Sequence, residues 1–172
     1  MNVASFDSAA RQREAWAVAA AVPDPEVPCV TVADLGILRA VRVEADGAVV
    51  ATVTPTYSGC PATAMIEAMV ASALRKAGYR ARVVTQLSPA WTTDWISDAG
   101  REKLRAYGIA PPVVRTPDPD ALFDQPEVAC PRCASVDTEQ LAAFGSTPCK
   151  AQYRCRRCHE PFDYFKCHRQ FG

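Results

Sequence analysis

The chain has eight cysteines among 172 residues, and six of them (Cys130, Cys133, Cys149, Cys155, Cys158 and Cys167) crowd its C-terminal end. Four of the six form two Cys-x-x-Cys pairs, Cys130-Pro131-Arg132-Cys133 and Cys155-Arg156-Arg157-Cys158. A Cys-x-x-Cys turn aims two thiolates at one point, and two such turns close the tetrahedral shell that Zn²⁺ prefers. The 21 residues between the pairs, Ala134 to Arg154, include Ser135, Thr138, Leu141, Phe144 and Tyr153. They suit short strands carrying two knuckles, a zinc ribbon with Cys130, Cys133, Cys155 and Cys158 as its ligands. The spacing favours metal over disulfides. A module this small has too little core to hold itself, so metal binding would supply its folding energy. Cys149 and Cys167 are then surplus, and His159 and His168 each directly follow a cysteine. The two thiols could form a second metal site, trade places with the ligands, or sit reduced; packing or an auxiliary thiol pair is the favoured reading.

A second kind of thiol stands alone. Thr54-Pro55-Thr56-Tyr57-Ser58-Gly59-Cys60-Pro61 reads as a strand that stops, a tight turn, and a helix that begins at proline, where the missing N–H costs nothing. A thiol at or just before a helix N-cap would feel the positive end of the dipole, and its pKa is expected to fall. Such a thiolate can attack or hold iron. Neither histidine lies in the first hundred residues, so a Cys-His enzyme would lack its base unless Glu26, Asp34 or the ribbon supplied one. One cysteine is also too few ligands for a self-contained iron–sulfur centre. Asp24, Glu26 and Asp34 lie in an irregular stretch broken by Pro23, Pro25 and Pro28, and from spacing alone they read as ordinary loop carboxylates.

The elements that would position these groups can be read from periodicity. Good helix formers run from Ser8 to Ala21 and are stopped by Pro23 and Pro25. Alternation predicts strands at Ile37 to Glu44 and Ala48 to Thr54, joined at Asp46-Gly47 by a two-residue turn with both central positions at positive φ. Met65, Ile66, Met69, Val70, Ala73 and Leu74 repeat at helical spacing and should face the core, with Gly78 as the terminating cap. Arg80 to Leu87 is a third strand, so strand, helix, strand implies a crossover. A further helix is expected from a cap at Thr93 to Tyr107, with Trp91 and Trp95 as packing anchors. The predicted fold is α/β (α+β): a short mixed sheet of about three strands packed by helices, then a C-terminal zinc ribbon. The expected division is a domain over 1–110, a Pro-rich linker over 111–127, and a ribbon domain over 128–172.

Charge and composition narrow the function classes. Lys and Arg total 19 against 19 Asp and Glu, so no net field draws the chain to nucleic acid or an anionic membrane. The ribbon is locally basic, but nearby acids and a four-thiolate metal site offset that charge. Arg11 and Arg13 before the apolar run Ala15 to Val22 imitate a signal peptide; the run is short, contains Trp16, meets no cleavage site, and is read as helix. No stretch approaches a membrane span. With the cysteines gathered into metal-binding spacing, a reducing, cytoplasmic location is expected.

Asp24-Pro25-Glu26-Val27-Pro28, Asp34-Leu35-Gly36 and Thr54 to Pro61 together resemble the family of small metal–sulfur cluster assembly proteins that includes the SufT-like factors. The continuation is similar to a narrower family, the small accessory subunits encoded with phenylacetyl-CoA epoxidases. Trp91-Thr92-Thr93-Asp94-Trp95, Tyr107 to Pro112, Phe144-Gly145-Ser146-Thr147 and Pro161 to Cys167 carry that likeness. The resemblance implies aerobic phenylacetate catabolism, with the oxygenase and an iron–sulfur reductase as partners and an iron–sulfur protein as client. It implies help in maturing a metal centre rather than binding of phenylacetyl-CoA. Cys60 matches the family's reactive cysteine, Asp24, Glu26 and Asp34 its acidic positions, and Thr56, Ser58 and Thr63 flank the thiol in the shared motif. Cys29 stands where the family often has an apolar residue and is not promoted to a ligand. A transient iron ion or iron–sulfur cluster at Cys60, on one protomer or shared in a homodimer, is the implied cargo. An accessory factor is favoured over an enzyme, with a non-catalytic ribbon subunit as the alternative.

Overall fold

A computed structural model of the chain describes residues 3–113 and 127–166, and for residues 3–7 it describes the backbone alone. Cys167, His168 and most of the expected Pro-rich linker lie outside the described residues. Two compact units part between Ser97 and Asp98.

The first unit contains α1 (Val3–Ala20), β1 (Leu38–Val43), β2 (Val49–Val53), α2 (Thr63–Lys76) and β3 (Ala81–Thr85). Its sheet has the order β1-β2-β3. β1 and β2 are antiparallel, with Val41 opposite Ala51; β2 and β3 are parallel, with Ala51 opposite Val83. The parallel pair follows from the intervening α2, since only a crossover brings the chain back in the same direction. α1 contributes buried Ala15 and Ala19 to the core, β2 Val49, Ala51 and Val53, and α2 Ile66, Val70 and Leu74. Removing that apolar surface from water is what holds helices on the sheet.

Several local expectations change. The β1–β2 turn is one residue longer than expected: Glu44 N–H donates to the Ala48 carbonyl and Gly47 N–H to the Glu44 carbonyl. Only Gly47, at φ +77°, is left-handed there, the geometry of a three-residue hairpin loop. Met65 is exposed rather than core-facing, because it lies beyond the edge of the stripe formed by Ile66, Val70 and Leu74. The helix expected over Thr93–Tyr107 is broken. Thr93–Trp95 is a single 3₁₀ turn whose cap is Thr92, with Oγ1 accepting from Asp94 N–H at 3.3 Å. Ile96 is then extended, and Ser97 N–H donates to the Asp34 carbonyl at 2.9 Å. A tertiary hydrogen bond replaces a helical one, and helix resumes only at Asp98.

That segment is fastened to the loop before β1. Trp91 is buried and its Nε1–H donates to the Leu35 carbonyl at 2.8 Å. Gly36, at φ +67°, lies so close to Trp95 that an added Cβ would come within 2.5 Å of the Trp95 Cβ and carbonyl oxygen. The Arg39 guanidinium lies 3.5 Å above the Trp95 ring. Both tryptophans therefore anchor the fold, as their size suggests.

The second unit contains α3 (Asp98–Tyr107), β4 (Ile109–Ala110), β5 (Thr138–Ala142), β6 (Lys150–Cys155) and β7 (Pro161–Phe165). Its sheet order is β4-β7-β6-β5, with β4 parallel to β7 and the other pairs antiparallel. α3 and β4, placed with the first domain by the sequence reading, group with the ribbon because Ile109 and Ala110 pair with Asp163 and Tyr164. Ala110, Val128, Cys130, Ala151, Tyr153, Cys155, Phe162 and Tyr164 form the ribbon core, with the Tyr153 and Phe162 rings stacked at 5.9 Å. Among the described residues no helix is long and apolar enough to cross a membrane.

Candidate metal and thiol sites

Two backbone knuckles of the same design deliver the ribbon thiols. Cys130 N–H donates to the Ser135 carbonyl at 2.9 Å, and Cys155 N–H to the Glu160 carbonyl at 3.0 Å. The residue after each second cysteine is left-handed, Ala134 at φ +58° and His159 at φ +62°, which turns the chain back under its own thiols. His159 thus serves the turn.

The four sulfurs of Cys130, Cys133, Cys155 and Cys158 lie within 4.8 Å of one another. Cys130 and Cys158 are 3.7 Å apart and Cys133 and Cys155 3.6 Å. A Zn–S bond of about 2.3 Å gives a tetrahedron with edges of about 3.8 Å, so the donor set and spacing fit zinc. The Cys158 N–H, 3.5 Å from Cys155 Sγ, and the Arg157 N–H lower the Cys155 thiol to about 7 against the cost of burial. Cys158 accepts from the Glu160 N–H, yet burial and the three other thiols push it up to about 12. A bound dication would displace the protons those sulfurs retain and tie both knuckles to one point.

Cys149 is not one of the four. It lies at the opposite end of β6 from Cys155, about 20 Å away by strand rise. It is buried with its Sγ 3.0 Å from Thr147 Oγ1, and its carbonyl accepts from Lys166 N–H. The neighbouring Lys150 is buried with its ammonium 3.7 Å from Asp163.

Of the two thiols of the first unit, Cys29 and Cys60, the one at the β2–α2 junction lies in a different setting. Cys60 is half-buried, and its N–H closes a turn onto the Tyr57 carbonyl at 3.1 Å. α2 begins at Thr63 with Ala62 as N-cap, so Cys60 is two residues ahead of the cap rather than at it or next to it. Thr63 Oγ1 donates to the Cys60 carbonyl at 2.8 Å. The thiol pKa is raised, not lowered. Burial is the main cause and the charges of Glu26 and Asp24 add to it, outweighing the Ala62 N–H and the Thr63 hydroxyl. The expectation of a dipole-activated thiolate is corrected by that balance.

The acidic positions divide by role. Asp24 is buried, and its Oδ1 accepts from the N–H groups of Glu26 and Val27 at 2.9 and 2.8 Å. Asp34 Oδ2 accepts from Thr31 N–H at 2.9 Å while Thr31 Oγ1 accepts from Asp34 N–H at 3.1 Å. Asp24 and Asp34 therefore shape the loop, and Asp24 and Glu26 also reach Cys60 through their charge. Thr56 is buried, Ser58 exposed and Cys29 half-buried. Thr31 was missed by the sequence reading, although its spacing three residues before Asp34 is a reciprocal capping pattern.

Residues 13–85 match the family described as iron–sulfur cluster assembly protein, and residues 115–166 match the PaaD zinc beta ribbon domain. The two matches together describe an iron–sulfur cluster assembly domain followed in the chain by a zinc ribbon. The chain belongs to the PaaD family: it is 50% identical over 155 residues to a protein of Escherichia coli (strain K12) named for a subunit of the 1,2-phenylacetyl-CoA epoxidase, covering 90% of this chain and 92% of that protein. Among solved structures, a domain of unknown function, DUF59, from Bacillus anthracis is similar with a TM-score of 0.54 at 25% identity, covering 58% of this chain and 96% of that one.

Proposed function

We propose that this protein is an accessory maturation factor of the multicomponent phenylacetyl-CoA epoxidase of aerobic phenylacetate catabolism. In this reading it acts in the cytoplasm, assisting assembly of an iron–sulfur cluster or metal centre in a partner through Cys60. Its partners are the oxygenase and reductase components, with an iron–sulfur protein as client. Membership of the PaaD family supports the system, and the match of residues 13–85 to cluster assembly proteins supports the role.

The observation that supports a role for Cys60 is its place, half-buried in the turn before α2 and within reach of the charges of Glu26 and Asp24. Burial and the charges of Glu26 and Asp24 disfavour the bare thiolate, which speaks against a resting nucleophile. The same charges favour a cation beside the sulfur. When a ferrous ion arrives as cargo, Cys60 gives its proton to solvent and binds through Sγ, with Glu26 as the candidate oxygen donor. Asp24 is held by two backbone N–H groups and contributes field more than ligation. One thiolate and a carboxylate bind weakly enough to release the ion, or two protomers of a homodimer share it. Thr63 fixes the turn, and Thr56 and Ser58 flank it. The ribbon keeps its own metal and takes no part in the transfer.

The test is anaerobic metal and sulfide analysis of the purified protein before and after mixing with the apo-reductase, for wild type and Cys60→Ser. Iron transfer by wild type and none by Cys60→Ser is expected; normal metal content and activity in partners matured with Cys60→Ser would remove Cys60 from the mechanism. A second reading, that of a non-catalytic ribbon component, draws on exposed Leu141 and Phe144. Co-purification with the oxygenase, with Cys60 dispensable, would favour it.

A further inference from the structure

The four ribbon cysteines bring their sulfurs to one point but differ in how exposed the residues are. Cys155 and Cys130 are sealed, at 0% and 2% exposed, and belong to the ribbon core. Cys133 is half-buried, and Cys158 alone of the four is exposed. Zinc-bound sulfur remains a nucleophile, and oxidation at cysteine follows thiolate character together with access. Coordination makes the thiolate character of the four similar, so access decides among them.

We propose that Cys158 is an oxidative modification site through which a peroxide opens the ribbon, with Cys130 as the resolving thiol. Cys158 Sγ attacks one oxygen of hydrogen peroxide. An S–O bond forms, the O–O bond breaks, and hydroxide leaves; the sulfur is oxidised by two electrons to a sulfenic acid and the peroxide is reduced. Cys130 Sγ, 3.7 Å away, then attacks the sulfenic sulfur. An S–S bond forms, the S–O bond breaks, and the oxygen leaves as hydroxide. Cys130 is too buried to meet the oxidant first, yet it is placed to meet the product. Two ligands are consumed, and Cys133 and Cys155 alone do not make a four-coordinate site. The ion departs, and the knuckles lose the point that ties them together.

The test uses the full chain loaded with zinc. Hydrogen peroxide is added at low stoichiometry, zinc release is followed with a chromophoric chelator, and sulfenic acid is trapped with dimedone and mapped by mass spectrometry. The expected result is that, within the ribbon, the label appears first on Cys158, that without trap a Cys130–Cys158 disulfide follows, and that one zinc leaves for each Cys158 modified. Label appearing first on Cys130, Cys133 or Cys155, or zinc leaving with Cys158 intact, overturns the proposal. Cys158→His keeps a ligand but removes the oxidisable sulfur, so its zinc should leave several-fold more slowly; an unchanged rate also overturns it. If that variant does not hold zinc, the wild-type map decides alone.

Discussion

The ribbon and the β2–α2 junction both present thiols, and they differ in how many donors they gather at one point. In the ribbon four sulfurs converge from two copies of one backbone turn; N–H groups bring Cys155 down to about 7, while burial and the neighbouring thiols push Cys158 up to about 12 until a dication shares their charge. At the junction one sulfur is backed by buried surface and carboxylates that hold its proton on. The first arrangement is built to keep a dication. The second is uncomfortable as a thiolate until a cation comes and can lose that cation again. Number and field of donors, rather than the presence of cysteine, separate a structural site from a proposed transfer site.

The contrast between the two regions breaks most visibly if metal is withdrawn. Chelation, or Cys155→Ser, should melt the ribbon, since structural zinc sites of this kind contribute about 10–16 kcal/mol at neutral pH in small modules. Hydrogen exchange should show Ala151, Tyr153 and Phe162 losing protection while the amides of α2 keep theirs. Loss of protection in both regions together would mean that the first unit also depends on the ribbon's metal.

Gly36→Ala is the converse, aimed at the first unit. A Cβ there meets Trp95 at 2.5 Å in a left-handed backbone, so about 2–4 kcal/mol should be lost. Gly78→Ala has a similar φ but open space and should cost only about 1 kcal/mol. Trp91→Phe, which deletes the Nε1–H donated to Leu35 and leaves that buried carbonyl without it, belongs at about 1–3 kcal/mol. Denaturant midpoints followed at first-unit probes check all three, with ribbon probes unmoved.

How far sequence could reach differs between the regions for the same reason. The convergence of Cys130, Cys133, Cys155 and Cys158 was legible because Cys-x-x-Cys spacing encodes its own geometry locally. Strands β1 to β3 and helix α2 were legible because hydrophobic period is local too. The break at Ile96 was not, since it depends on Ser97 bonding to Asp34 and on Trp95 meeting Gly36, contacts far apart in the chain. Nor was the pairing of Ile109–Ala110 with β7, which takes that segment out of the first unit. At Cys60 the Ala62 N–H and the Thr63 hydroxyl are local effects that lower the pKa; burial and the charges of Glu26 and Asp24, far off in the chain, outweigh them.

The smallest effect is the sharpest test of that last contrast. The alkylation rate of Cys60 by iodoacetamide follows its thiolate fraction, so the pH midpoint should lie above the ordinary value of 9.0. Glu26→Gln removes one of the charges that raise it and should move the midpoint down from the wild-type value. Above the unfolded pKa the folded state still holds a proton that the unfolded chain has lost, so stability falls as pH rises through that range. Ferrous ion, added anaerobically, should slow alkylation and release one proton per site. A midpoint below 9.0 would instead restore an activated thiolate at Cys60, and the two thiol regions would then differ only in the number of their sulfurs.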